Sequence, residues 1–130
     1  MKIKSNKFKM NDREWYIEEV DIKTIREEYN KDLSDNSKVN EDYFFYGLTT
    51  LSKQRVLLNK DIHIERKKKT LYHELMHVYK DVFIGNEEWK ISEEELCDIS
   101  ANSHDIIHKI VEDYFKDKVK WKWQVVNINQ

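Results

Sequence analysis

The chain has 130 residues, of which 23 are Lys or Arg and 25 are Asp or Glu, so its net charge is −2. This length favours one domain, and the balanced charge lacks the basic excess that is typical of nucleic-acid binding. No apolar run approaches the roughly 18 residues of a membrane span, and residues 1–7 hold no apolar core for a signal peptide. With a single cysteine as well, we expect one cytoplasmic domain over residues 1–130, without membrane or nucleic-acid partners.

The first third of the chain is predicted to form a β-hairpin followed by one short helix. Two short apolar runs, Phe8–Met10 and Trp15–Ile17, flank a polar stretch that is typical of a turn. Apolar residues then recur every three or four positions, which predicts a helix over about 21–31. The polar residues 33–40 are expected to form a loop.

The rest of the chain favours two further strands, two long helices and a final strand. The strands are predicted within 43–48, where Gly47 indicates a bulge or a close backbone approach, and at 55–59. A helical period then runs from residue 64 to about 83, and a last long helix begins near Ser92. The alternation at 119–128 is read as a strand. The sum is an α+β fold with a small mixed sheet and two long helices.

The ends of the two long helices carry their own signals. Gly85 is well placed to end the first helix, because a residue with positive φ is often needed there. Ser92 and Glu95 have the spacing of a capping box, which predicts the start of the second. Cys97, in the first turns of that helix, is expected to be a small buried residue.

The strongest chemical signal is the run His73-Glu74-Leu75-Met76-His77 inside the first long helix. Two histidines four residues apart lie on one face of a helix, one turn from each other. This geometry can supply two ligands of a tetrahedral Zn²⁺ ion. Glu74 lies beside them, where a carboxylate can act as general base toward water.

A catalytic zinc also needs a third protein ligand, and the start of the next helix offers one. Glu94 and Asp98 are four residues apart and therefore share a face. Glu94 can bind the metal, while Asp98 can accept the N–H of a ligand histidine and fix its orientation. Because Glu93 and Glu95 flank Glu94, either of them can take its place as the ligand, and this alternative stays open.

The chain resembles the ImmA/IrrE-type metallopeptidases, small zinc enzymes often found in phages and mobile elements. The resemblance covers about residues 43–115 and is carried by Tyr46-Gly47-Leu48, by the segment 66–77 and by Asp98-Ile99-Ser100-Ala101-Asn102. The motif followed by Glu94 and Asp98 is also similar to the thermolysin-type (gluzincin) arrangement. The resemblance implies a minimal zincin-like core, in which an edge strand precedes the His-Glu helix and a second helix supplies the acidic ligand.

The resemblance implies a zinc-dependent hydrolase that cleaves a protein or peptide substrate, with Zn²⁺ as cofactor and Glu74 as catalytic base. If Arg55–Asn59 is the edge strand, an extended peptide can pair with it. A group that stabilises the transition state is also expected, and Tyr72, His104 and His108 are its candidates. The alternative function is a non-enzymatic interaction protein that retains the fold. The substrate and the oligomeric state stay open.

Overall fold

A four-stranded mixed sheet, with the strand order β1-β2-β4-β3, organises the first part of the chain. Strands β1 and β2 are antiparallel, β2 and β4 are parallel, and β3 and β4 are antiparallel. The strands are Lys7–Met10 (β1), Arg13–Val20 (β2), Gly47–Thr50 (β3) and Arg55–Asn59 (β4). The helices are Ile22–Asn30 (α1), Ile64–Tyr79 (α2, continued by a π-helical turn at Lys80–Ile84) and Glu93–Ile128 (α3). The predicted α+β class with a small mixed sheet is confirmed.

The structure, a computed structural model, describes residues 6–85 and 91–128, with side chains as far as residue 116. The chain divides into two compact units, residues 1–90 and 91–130. The first unit holds the sheet with α1 and α2, and the second holds α3. Within the described residues, no helix is long and apolar enough to cross a membrane. That the whole chain acts as one domain stays a prediction.

The β1–β2 hairpin forms where the sequence predicts it. Its two turn residues, Asn11 and Asp12, have φ angles of 52° and 66°. Positive φ at both central residues is the requirement of a type I′ turn, whose twist matches that of the flanking strands. Asn and Asp tolerate this conformation better than other residues that carry a Cβ. The polar stretch between the two apolar runs therefore determines the hairpin locally.

Strand β4 lies in the interior of the sheet, so the expectation that Arg55–Asn59 is the edge strand is wrong. Its three central side chains, Val56, Leu57 and Leu58, are fully buried. A strand with neighbours on both sides and covered faces needs apolar residues at every position. The edge strand on this side of the sheet is β3, which runs antiparallel to β4.

Helix α2 packs against β3 and β4 through the stripe that its period predicts. Leu71, Leu75 and Val78 are fully buried. Gly85 ends the helical segment with a φ of +100°, and its N–H donates to the carbonyl of Lys80. The predicted helix and its glycine stop are therefore confirmed, with the last turn widened into a π-helix.

Helix α3 begins with the predicted capping box. The N–H of Ser92 donates to the Glu95 carboxylate at 3.0 Å, and the N–H of Glu95 donates to the Ser92 hydroxyl at 3.1 Å. The backbone then stays helical to Ile128, so the strand predicted at 119–128 is wrong. A helix satisfies its backbone groups within its own segment, whereas a strand needs a neighbour, which alternation alone does not provide. Cys97 is exposed, in contrast to the expected burial.

Candidate metal and peptide site

The two histidines of the motif lie on the outer face of α2. His73 and His77 are both exposed, and their ring centroids are 5.2 Å apart with an interplanar angle of 71°. The buried stripe of α2 holds the helix against the sheet, and the rings are thereby presented to solvent one turn apart. The predicted pairing of two imidazoles on one helix face is therefore present.

Glu74 has a different environment from its histidine neighbours, since it is buried with only 7% of its surface exposed. The hydroxyl of Thr49, on β3, donates to Oε1 of Glu74 at 2.7 Å and also lies 3.3 Å from the Glu74 carbonyl oxygen. A buried carboxylate is costly unless it is hydrogen-bonded, and this contact both satisfies one oxygen and fixes its direction. No sequence pattern indicates this role for Thr49, because 25 positions in the chain separate it from Glu74.

Gly47 allows α2 to approach the edge strand closely. A Cβ atom at this position would lie 2.8 Å from the Leu57 carbonyl oxygen and 2.8 Å from Cγ2 of Thr70. It would also lie 3.4 Å from Cγ of Glu74. The close backbone approach predicted at Gly47 is therefore confirmed, and it is this approach that brings Thr49 within reach of Glu74.

The outer edge of β3 presents backbone groups beside this carboxylate. The N–H of Asn59 donates to the carbonyl of Tyr46 at 2.8 Å, which makes Tyr46 and Asn59 a hydrogen-bonded pair. Such pairs alternate along an antiparallel ladder, so the backbone groups of Gly47 and Thr49 point away from β4. No strand among the described residues pairs with this edge.

The acidic residues of the predicted site lie on α3, in the second unit. Glu94 and Asp98 are exposed and one turn apart. Glu95 is used by the capping box, and its hydrogen bonding with Ser92, above all the bond from the Ser92 N–H, lowers the pKa of Glu95 below its ordinary value. Glu94 as the third ligand, with Glu93 or Glu95 as its alternatives, stays a prediction.

The structure therefore assembles part of the predicted site. His73, Glu74 and His77 come together on α2, whereas Glu94 and Asp98 belong to the other unit. Among the side chains that the structure describes, in residues 6–85 and 91–116, no group of three or more His, Cys, Asp or Glu is gathered closely enough to hold a metal ion. The two imidazoles fit zinc, which favours nitrogen ligands of this kind, and the set needs one further ligand.

Comparison with known proteins gives no assignment. No family profile, curated protein or solved structure matches this chain. The functional interpretation therefore depends on the residues of α2, β3 and α3 themselves.

Proposed function

We propose that this chain is a zinc-dependent metallopeptidase of the ImmA/IrrE type that hydrolyses peptide bonds with Glu74 as general base. The observation that carries this proposal is the contrast between the buried Glu74, held by Thr49, and the exposed His73 and His77 on either side of it. An ordinary solvated helix face would leave all three side chains in water. A buried carboxylate held in one direction is an arrangement that general-base catalysis needs.

In this proposal His73 and His77 bind the metal together with Glu94. Asp98, one turn beyond Glu94 on α3, accepts the N–H of a ligand histidine. Zinc, when bound, supplies Lewis acidity that lowers the pKa of a water molecule to about 7 and polarises a peptide carbonyl.

The protein's own contribution to the chemistry is the placement of Glu74. Its carboxylate takes a proton from the attacking water and passes it to the leaving amine. Since Thr49 donates to Oε1, the second oxygen, Oε2, is the one available for the proton. Thr49 is then a positioning residue, which holds the carboxylate in one orientation throughout the reaction.

The substrate in this proposal is an extended stretch of polypeptide, bound along the outer edge of β3. The N–H and C=O groups of Gly47 and Thr49 provide the main-chain hydrogen bonds of an added strand. Such bonds give affinity with little dependence on sequence, which suits an unfolded or flexible segment of a cytoplasmic protein. Strand β3 thereby replaces Arg55–Asn59 as the docking strand.

The metal site is tested by the zinc content of protein purified without an affinity tag or added metal. About one zinc per chain is expected in the unmodified protein, with loss on the double change His73→Gln and His77→Gln. The chain offers a matched control in His104 and His108, also exposed, four residues apart and with ring centroids 5.5 Å apart. Zinc lost equally in both double variants, or absent even after zinc addition, contradicts the proposed site.

Catalysis is tested separately with Glu74→Gln on an unfolded protein substrate. The expected result is a loss of cleavage of at least about a hundredfold, the lower limit of a typical general-base contribution, with zinc content retained. If unmodified protein and Glu74→Gln cleave equally, the mechanism is wrong. If neither cleaves although both bind zinc, the alternative of a non-enzymatic interaction protein is favoured.

A further inference from the structure

The segment that leads into the edge strand exposes large aromatic side chains. Phe44 and Tyr46 are 53% and 46% exposed, and their rings meet edge to face with centroids 5.0 Å apart. The guanidinium of Arg66, in the first turns of α2, lies 4.7 Å from the centroid of the Tyr46 ring. We call Phe44, Tyr46 and Arg66 the aromatic patch. Contiguous exposed apolar surface marks an interaction site more often than apolar residues that are scattered singly over a surface.

The backbone that carries the patch is firmly held, although its side chains are exposed. Arg26 donates from Nε to the carbonyl of Tyr43 at 2.7 Å. Asn59 donates from its side chain to the carbonyl of Phe45 at 3.0 Å and from its backbone to that of Tyr46 at 2.8 Å. Rings on a fixed backbone lose little conformational freedom when a ligand covers them, so they are suited to binding.

The patch lies on the side of the segment that faces α2. In the run 43–46 the side chains alternate: Tyr43 and Phe45 contact each other and Phe45 contacts Tyr29 of α1, whereas Phe44 and Tyr46 contact each other and Tyr46 contacts Arg66. The patch is therefore on the same side of the chain as the motif of α2.

The distance between the patch and Glu74 can be read along both elements. Arg66 precedes Glu74 by eight residues, which is about 12 Å along a helix. Tyr46 precedes Thr49, the hydrogen-bond partner of Glu74, by three residues, which is about 10 Å along a strand. At about 3.3 Å per residue, a peptide paired with β3 therefore places a side chain at the patch when another residue, three or four positions away, lies beside Glu74.

We propose that the aromatic patch selects extended polypeptide segments carrying a bulky apolar side chain, preferably aromatic, three or four residues to one side of the bond beside Glu74. The occupant is an extended strand because the patch is continuous with the unpaired edge of β3. The side chain is apolar because the patch offers the exposed surface of two large rings, and it is preferably aromatic because aromatic side chains gain from edge-to-face or offset contact with such rings. This inference rests on the proposed function for its cleavage register, but peptide binding by itself does not depend on cleavage.

Binding is measured with Glu74→Gln, so that the peptide survives, by fluorescence anisotropy of labelled ten-residue peptides of Ser and Thr that carry one central Phe or none. We expect the peptide with Phe to bind more tightly than the peptide without it, because each peptide can shift along β3 until its Phe reaches the patch. The double change Phe44→Ser and Tyr46→Ser should then weaken binding of the Phe peptide about tenfold and leave binding of the Phe-free peptide unchanged. Tyr16→Ser removes an exposed ring of β2, outside the patch, and serves as the matched control.

Equal affinity of the peptides with and without Phe, or equal affinity of the Phe peptide with and without the patch, overturns the inference. So does an equal loss of binding in Tyr16→Ser. The same peptides offered to protein with Glu74 intact then separate the two proposals. If the distance between Phe and the cleaved bond is the same in the unmodified protein and in the patch variant, the proposed function stands and the proposal for the patch is refuted. Patch-dependent binding without any cleavage leaves the patch standing and refutes the peptidase.

Discussion

Replacing Gly47 with Ala tests whether close approach of α2 to β3 builds the site. The added Cβ would lie 2.8 Å from both the Leu57 carbonyl oxygen and the Cγ2 methyl of Thr70. The Leu57 oxygen belongs to the backbone of the central strand, and Thr70 is buried, so neither can move freely. Overpacking of this kind typically costs about 1–3 kcal/mol. With two obstructed contacts we expect about 2–3 kcal/mol.

The measurement is urea unfolding of the Gly47→Ala protein, followed by circular dichroism. Thr70→Ser supplies the second arm of a double-mutant cycle, because it removes the obstructing methyl and keeps the hydroxyl. The cost of Gly47→Ala should fall by about 1 kcal/mol in that background, since one of the two contacts is relieved. The Leu57 contact remains in both backgrounds, so rescue is expected to be partial.

The reasoning about Gly47 is refuted by either of two results. A cost below about 0.5 kcal/mol, within the range of ordinary surface substitutions, would show that the sheet and helix separate easily. If Gly47→Ala lowers the free energy of unfolding equally in the Thr70 and Thr70→Ser backgrounds, the Thr70 methyl is not the obstacle.

Two further predictions concern carboxylates that accept hydrogen bonds from a threonine. Thr49→Val removes the donor to Glu74 at nearly constant volume, so kcat should fall about tenfold while KM and zinc content stay unchanged. Thr49→Ser retains the hydroxyl and should keep its activity. Equal kcat in the unmodified protein and both variants would contradict a positioning role for Thr49. The hydrogen bonds from Thr24 lower the pKa of Asp21 below its ordinary value of 3.8. The Asp21 carboxylate therefore stabilises the folded protein above that pH, and this stabilisation is lost as the pH falls through the lowered pKa. Asp21→Asn keeps the cap without titrating, and its urea midpoint should vary less with acid pH than that of the unmodified protein.

Features set by neighbouring residues could be predicted from the sequence. The hairpin turn at Asn11 and Asp12, the stop at Gly85 and the capping box of Ser92 and Glu95 all depend on contacts within a few residues. The same holds for the shared face of His73 and His77, because the helical period fixes it.

Predictions from the sequence alone were wrong where a feature depends on pairing between distant segments of the chain. Alternating side chains at 119–128 were compatible with a strand, but the backbone is helical to Ile128. The apolar run at 55–59 has the composition of a strand at any position in a sheet, and only its pairing with both β2 and β3 shows that it is central.

The amino-acid sequence by itself determined where the helices begin, the hairpin and the presence of a His-Glu-x-x-His face, because local hydrogen bonds and a fixed helical period decide these. The tertiary structure alone decided that β3 is the edge strand, that Glu74 is buried and that Thr49 holds its carboxylate. These features depend on which segments of the chain meet, as Thr49 and Glu74 do across 25 positions. Side-chain periodicity carries no information about which distant segments will meet, since that is settled by the packing of the whole sheet against α2.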